Sequence, residues 1–315
     1  MKRIALSFVL AAFCISASAQ GTAMDFIRSD RNPATLGTAG AGYASVDMGT
    51  AFSAFGNPAA ISLAGHMVDA AGTFGVAPAG DGKALSYGGG ASLRLGNFGV
   101  SAGYIGTSYP TIPFFSEGGG ASGSFAPSEM TVGLGLSYAI GDFLSFGALA
   151  RYASSALDSK TTLTSFSADV MAMYRHDALT VSAGVASLGP KVASVANRSY
   201  PLPSSVRVGA AYKLGLGDFA VDFLADGDYY WANGTFGVAA GVQGGFRDMA
   251  FLRAGYRYSS VREDFSAAPV PSGFSAGAGV RLFGIGLDLA YILNSGTGGA
   301  LVAGLSYRFG QGGKR

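Results

Sequence analysis

The sequence predicts an all-β chain: a transmembrane antiparallel β-barrel of about fourteen strands, the even count such barrels use, with an N-terminal luminal plug. Two observations predict it. From Met67 to Phe309, apolar residues recur at every second position in segment after segment, each stopped by Gly, Asp, Asn or Pro. Side chains alternate between the faces of a strand, so one phase is greasy and the other is small, polar or charged. The charges also keep to a single phase. Arg94, Arg151, Asp169, Arg175, Arg207, Lys213, Asp222, Arg253, Arg257, Arg281 and Asp288 all oppose the apolar phase. An Arg or Lys facing hydrocarbon at mid-depth costs about 2–4 kcal/mol, so the charged phase is expected to be luminal.

Composition agrees. Hydrophobic residues make up 49% of the chain and charged residues 13%, yet no run after the N-terminus is long enough for a membrane helix. The 50 glycines suit a crowded, curved barrel interior better than a soluble sheet.

The elements follow in order. Lys2 and Arg3, the apolar run Ile4 to Ile15 and the small-residue site Ala17-Ser18-Ala19 read as an export signal over 1–19, with a mature start at Gln20. The competing reading, an anchor helix, needs a longer apolar run. Cys14, the only cysteine, is expected to leave with the signal, so the mature chain has no disulfide. Loss of Lys2 and Arg3 takes the basic count from 21 to 19, equal to the 19 acids. The neutral balance leaves no basic stripe for nucleic acid.

Residues 20–66 do not alternate. They carry Asn32-Pro33-Ala34, a Gly-rich piece Gly37 to Gly42, and Ala51 to Ala60 with Asn57-Pro58-Ala59 inside it. Gly and Asn-Pro break regular structure, while Ala and Phe suit short packed turns. The stretch reads as a plug or hatch; its apolar content argues against the alternative, a disordered leader. The barrel is expected over 67–309, with strands near 67–77, 83–95, 98–107, 129–140, 144–157, 164–176, 179–189, 203–214, 219–231, 235–246, 249–260, 271–283, 285–295 and 298–309.

Tight turns are expected at Gly96-Asn97, Gly141-Asp142, Asp177-Ala178, Gly217-Asp218, Arg247-Asp248 and Gly284, facing the periplasm. The longer connections 108–128, 158–163, 190–203, 232–234 and 261–271 should face the exterior, with 232–234 fitting least well. In 108–128, Tyr109, Phe114 and Phe115 either line a binding mouth or fold over the rim. Outward residues include Met130, Val132, Leu134, Leu136 and Tyr138, and Ile285, Leu287, Leu289, Tyr291 and Leu293, with tyrosines gathered toward strand ends as an interfacial girdle.

The opening Phe26-Ile27-Arg28, the run Leu36-Gly37-Thr38-Ala39-Gly40-Ala41-Gly42, the short Ala-Phe segment and Asn57-Pro58-Ala59-Ala60 resemble the start of the PorV/PorQ family of Bacteroidetes-type outer-membrane barrels. That family is related to the FadL-like fatty-acid transporters, a fourteen-stranded barrel with an N-terminal hatch carrying the Asn-Pro-Ala motif. The resemblance implies an outer-membrane protein of a Gram-negative bacterium, associated with type IX secretion through binding of secreted proteins or secretion-system components. The alternative it implies is transport of a hydrophobic ligand past the hatch. Lipid is the remaining expected partner. The alternating strand ending in Phe309 looks like a barrel-assembly signal, and the tail 310–315 is expected in the periplasm.

Catalytic and cofactor chemistry is not indicated. The chain has two histidines, His66 at the end of the plug and His176 at a tight turn. A Ser-His site would need a third polar group to hold it. Asp222, Asp226 and Asp228 resemble calcium spacing but lack the later Glu, and Asp-Gly there reads as a turn. There is no Gly-x-x-x-x-Gly-Lys-Ser/Thr phosphate loop. The luminal Arg and Asp residues form either a structural ion-pair lattice, the favoured reading, or a substrate track.

Overall fold

The computed structural model describes residues 21–115, 121–158, 161–193, 198–260, 273–294 and 298–311. The expected export signal with Cys14, the start at Gln20, the loop 261–271 and the last residues from 312 on lie outside them.

In chain order the strands are β1 (His66–Ala79), β2 (Gly82–Leu95), β3 (Phe98–Ser108), β4 (Ile112–Phe115), β5 (Ala121–Phe125), β6 (Ser128–Ile140), β7 (Leu144–Ala156), β8 (Thr162–His176), β9 (Leu179–Leu188), β10 (Val192–Ala193), β11 (Ser199–Tyr200), β12 (Ser205–Leu216), β13 (Phe219–Tyr230), β14 (Thr235–Phe246), β15 (Ala250–Ser259), β16 (Gly273–Leu282), β17 (Ile285–Asn294) and β18 (Gly298–Gln311). Fourteen of these close one barrel, each pairing with its sequence neighbour in the wall, and β1 seals it against β18 from His66↔Gln311 to Val76↔Leu301. The pairs are antiparallel throughout. The ribbons β4–β5 and β10–β11 stand apart from the wall, inside the two long connections.

Alternation of side chains makes the wall two-faced. On β6 Val132, Leu134, Leu136 and Tyr138 are exposed, while Thr131, Ser137 and Ala139 in the opposite phase are buried. Ile285, Leu287, Leu289, Tyr291 and Leu293 repeat the pattern on β17. Aromatic rings meet across outward register pairs: Phe98 with Tyr138 at 4.8 Å, Phe219 with Phe246 at 4.9 Å and Tyr256 with Phe274 at 4.7 Å. In water such a belt would be an aggregation surface; against acyl chains it is the stable arrangement.

At one end the hairpins are tight. Gly141 and Gly217 take left-handed φ of 63° and 71° there, the conformation a short reversal needs. The other end carries the long connections. It also has a two-residue reversal at Gly80-Asp81, which the simple short–long alternation does not anticipate. The strand expected from 203 begins at Ser205, because Pro201 and Pro203 have no N–H for the ladder. His66, expected at the end of the plug, opens β1, and β18 continues past Phe309 to pair with it.

Buried side chains gather where residues 21–64 meet the inward wall. Ala59, Ala60 and Leu63 pack on Ala139, Met171 and Met173; Ala51, Phe52, Ala54 and Phe55 pack on Ile105; Met24 and Ile27 pack on Ala153, Val192 and Leu202. The segment spans the barrel's height. Ala23 N–H donates to Pro201 O at 2.9 Å at the long-connection end, and Ala64 O accepts from Arg94 at the tight-turn end.

Candidate functional site

The two Asn-Pro-Ala motifs have one local geometry. Asn32 Oδ1 accepts the Ala34 N–H at 3.1 Å, capping the helical turn Pro33–Leu36. Asn57 Oδ1 accepts the Ala59 N–H at 3.0 Å, ahead of the turn Ala60–Leu63. Each side-chain amide then ties a distant carbonyl: Asn32 Nδ2 donates to Met48 O at 3.2 Å, and Asn57 Nδ2 donates to Tyr43 O at 2.6 Å. Asn accepts locally and donates remotely with one side chain, so the two hold the 43–48 loop from both sides, and Pro33 also fixes the first helical φ of its turn. Pro58 and Ala59 are buried against the wall at Gly147.

Glycine opens the wall to this segment. A Cβ at Gly133 would collide with the Ala54 carbonyl, and one at Gly255 with the Thr38 backbone.

The luminal charges form separate groups rather than one lattice. Arg151 pairs with Asp169 in full burial, and its Nη1 donates to Ile27 O at 3.0 Å. Asp169 also accepts the Ser187 N–H at 2.6 Å, where the β8–β9 register shifts. Asp228 is shared: Arg257 Nη2 reaches it at 2.5 Å, Arg207 Nε lies 3.4 Å away, and Tyr43 Oη donates to it at 3.1 Å. Arg253 Nη1 meets Asp288 at 2.6 Å while its Nε donates to Gln243 Oε1 at 2.6 Å, and Gln243 Nε2 donates to Asp222 at 2.7 Å. Lys213, half exposed, pairs with Asp47 at 2.7 Å.

Other luminal arginines serve the backbone. Arg175 Nη1 donates to Leu63 O at 3.1 Å, and Arg94 bonds Ala64 O at the same end. Arg281 lies over the Phe251 ring at 5.0 Å, and among the described residues it has no ion pair.

One expectation is corrected. Asp226-Gly227-Asp228 is not a turn; it lies inside β13, with both carboxylates inward and buried. Asp226 accepts the N–H groups of Gly42 and Tyr43 at 2.6 and 2.9 Å. Gly227 tolerates the strand because it faces outward between Val208 and Val238 in the ladder. Asp69 also escaped the sequence reading. It is buried on β1, takes the Thr50 N–H at 2.7 Å, and has His66 and Arg308 each at 3.3 Å. Its inward phase was the available signal. His176 is exposed beside Asp177.

Of the expected loop contacts, Tyr109 Oη donates to Glu129 at 2.8 Å, so the ring is tied to the rim rather than free in a mouth. Phe114 and Phe115 lie on β4, and their side chains fall outside the described residues.

The groups above enclose a cavity of about 110 Å³ on the long-connection side of the 43–57 loop. Leu36, Phe52, Phe55 and Ile292 line it with apolar surface, and Arg28, Arg207 and Arg257 with cations. Arg28 stacks over Tyr230 at 3.7 Å. Asp30, also lining it, accepts from Asn32 N–H at 2.9 Å and from Thr35 Oγ1, and burial nevertheless holds its carboxyl above the ordinary range. Burial likewise pushes the Tyr43 phenol well up, so it stays a hydrogen-bond donor. The cavity therefore joins an apolar patch to cations already neutralised in part by Asp228, which suits a small, largely hydrophobic guest.

No protein-family model matches the chain, and no curated protein matches it by sequence. Its fold has solved counterparts. The Pseudomonas putida toluene transporter TodX superposes with a TM-score of 0.57 at 14% identity, covering 85% of this chain and 97% of that one. A Pseudomonas aeruginosa FadL homologue gives 0.56 at 12% identity, covering 89% and 98%. These likenesses show a common barrel fold, and this chain's closed fourteen-stranded wall with its outward apolar belt is a transmembrane β-barrel of the outer-membrane type.

Proposed function

We infer that the chain is a non-enzymatic outer-membrane channel for hydrophobic small molecules, with residues 20–66 as a luminal plug whose 43–57 loop floors the binding cavity. The observation that carries the reading is the cavity itself. Phe52, Phe55 and Leu36 from the segment and Ile292 from the wall offer apolar contact, while the polar groups around them are largely bonded to one another. The FadL-like fold, shared with a toluene transporter, adds to it. The reading as a secretion-associated barrel that binds secreted proteins rests on the opening motif alone, and no contact described above adds to it.

Gly56 provides the test. It lines the cavity, and a Cβ there would meet nothing within 4 Å. Gly56→Leu should fill the space without disturbing the fold. Toluene binding to the purified barrel, followed by ligand-observed NMR, is expected to weaken at least about tenfold, or ~1.4 kcal/mol. No saturable toluene binding to the folded wild type, or binding no weaker in Gly56→Leu, would sink the reading.

A further inference from the structure

A second cavity, of about 270 Å³, opens below the 43–50 loop at the tight-turn end. Its character is opposite to that of the first: Arg281, Arg308 and Lys213 line it together with Asp47, Asp222 and Asp248. Most of these charges are spoken for. Lys213 holds Asp47 at 2.7 Å, Arg308 Nε lies 3.3 Å from Asp69, and Asp222 accepts from Gln243 at 2.7 Å. Asp248 sits exposed at its turn, where water solvates it.

Arg281 is different. Among the described residues it has no carboxylate partner, and its Nε, like that of Arg308, is buried without an acceptor. The Phe251 ring, 5.0 Å away, holds the guanidinium by its face but accepts none of its N–H donors. Arg308 lines the same cavity as a second cation, its Nη1 turned to Asp47 O at 3.1 Å. What Arg281 lacks is an acceptor for its N–H donors, which an oxyanion would supply, and a guanidinium grips an oxyanion with two parallel bonds.

We propose that this lower cavity is an oxyanion site, with Arg281 as its recognition residue and Arg308 as the supporting charge. It does not depend on the channel reading, since it lies on the other side of the loop and uses different residues. The oxyanion is either the carboxylate of a tail-bearing molecule or a free inorganic anion from the periplasm.

The test uses the full barrel in a non-ionic detergent, titrated separately with ¹³C-butyrate and inorganic phosphate at constant ionic strength and followed by NMR. Folding of each variant is checked by its heat-dependent gel shift. Saturable binding is expected for wild type, weakened at least tenfold by Arg281→Met. Arg281→Lys, which keeps the charge but not the fork, should bind several-fold less tightly than wild type. Butyrate binding alone identifies a tail-borne carboxylate, and phosphate binding alone identifies a free anion; either supports the site. No saturable binding to folded wild type, or equal affinities in wild type and either Arg281 variant, overturns it.

Discussion

At the scale of single residues, Asp228 carries the heaviest burden. One carboxylate serves the buried Arg207 and Arg257 and the part-buried Tyr43 hydroxyl. Removing one member of a buried ion pair costs about 3–5 kcal/mol, because the partner charge stays behind without compensation. Asp228→Asn should therefore lower the unfolding free energy of the barrel by about that amount, seen as an earlier denaturant midpoint. Adding Arg257→Met should recover part of the loss; a double variant no better than the single would show that the pairing is not the source. Asp30 makes a different prediction. Burial raises its folded-state pKa above 3.8, so in the intervening pH window the native state binds more protons than the unfolded chain. Stability from this group is present at low pH and lost as pH rises through the raised value. The melting temperature of wild type relative to Asp30→Asn should thus increase as pH is lowered toward the ordinary carboxylate range. A difference flat in pH would mean that the carboxyl titrates as if exposed.

At the scale of elements, the wall was legible and its partners were not. Strand phase follows from a period of two, so Leu134 outward and Ser137 inward could be read directly, as could the turns at Gly141 and Gly217. The same rule placed Arg151 and Asp169 in the interior, but phase does not say which charges on different strands share a level. That depends on strand stagger, so Arg151–Asp169 and the shared Asp228 emerge only from the register. Asp226-Gly227-Asp228 misled for a related reason: Asp-Gly favours a turn locally, and the β13 ladder overrides it. The motif residues Asn32 and Asn57 were legible as breakers, while their remote bonds to Met48 and Tyr43 were not. The glycine clearances extend the argument. Gly133 leaves room for the Ala54 carbonyl, so Gly133→Val should displace the 51–59 stretch while strand pairing survives. Faster hydrogen exchange of amides 51–59, with barrel amides unchanged, is the expected outcome; unchanged exchange in the stretch would mean that the wall yields instead.

At the scale of the whole molecule, the two faces of the wall are a statement about solvent. Leu134 lies near the middle of β6 and Ile140 at its end, and both are exposed. In a uniform aqueous surround, arginine at either site would be nearly harmless. In a bilayer the cost depends on depth, about 2–4 kcal/mol at the midplane and about 0–1 kcal/mol near the interface. Leu134→Arg should therefore destabilise the lipid-refolded barrel far more than Ile140→Arg. Reversible denaturation from lipid vesicles measures both. The interior imposes the complementary rule, since Arg151, Arg207, Arg253 and Arg257 are buried there only with acceptors in reach. Equal penalties for the two outward arginines would remove the membrane from the account of this fold. A steep difference would fix the midplane near the level of Leu134, with the upper cavity and the Arg281 cavity toward opposite ends of the barrel.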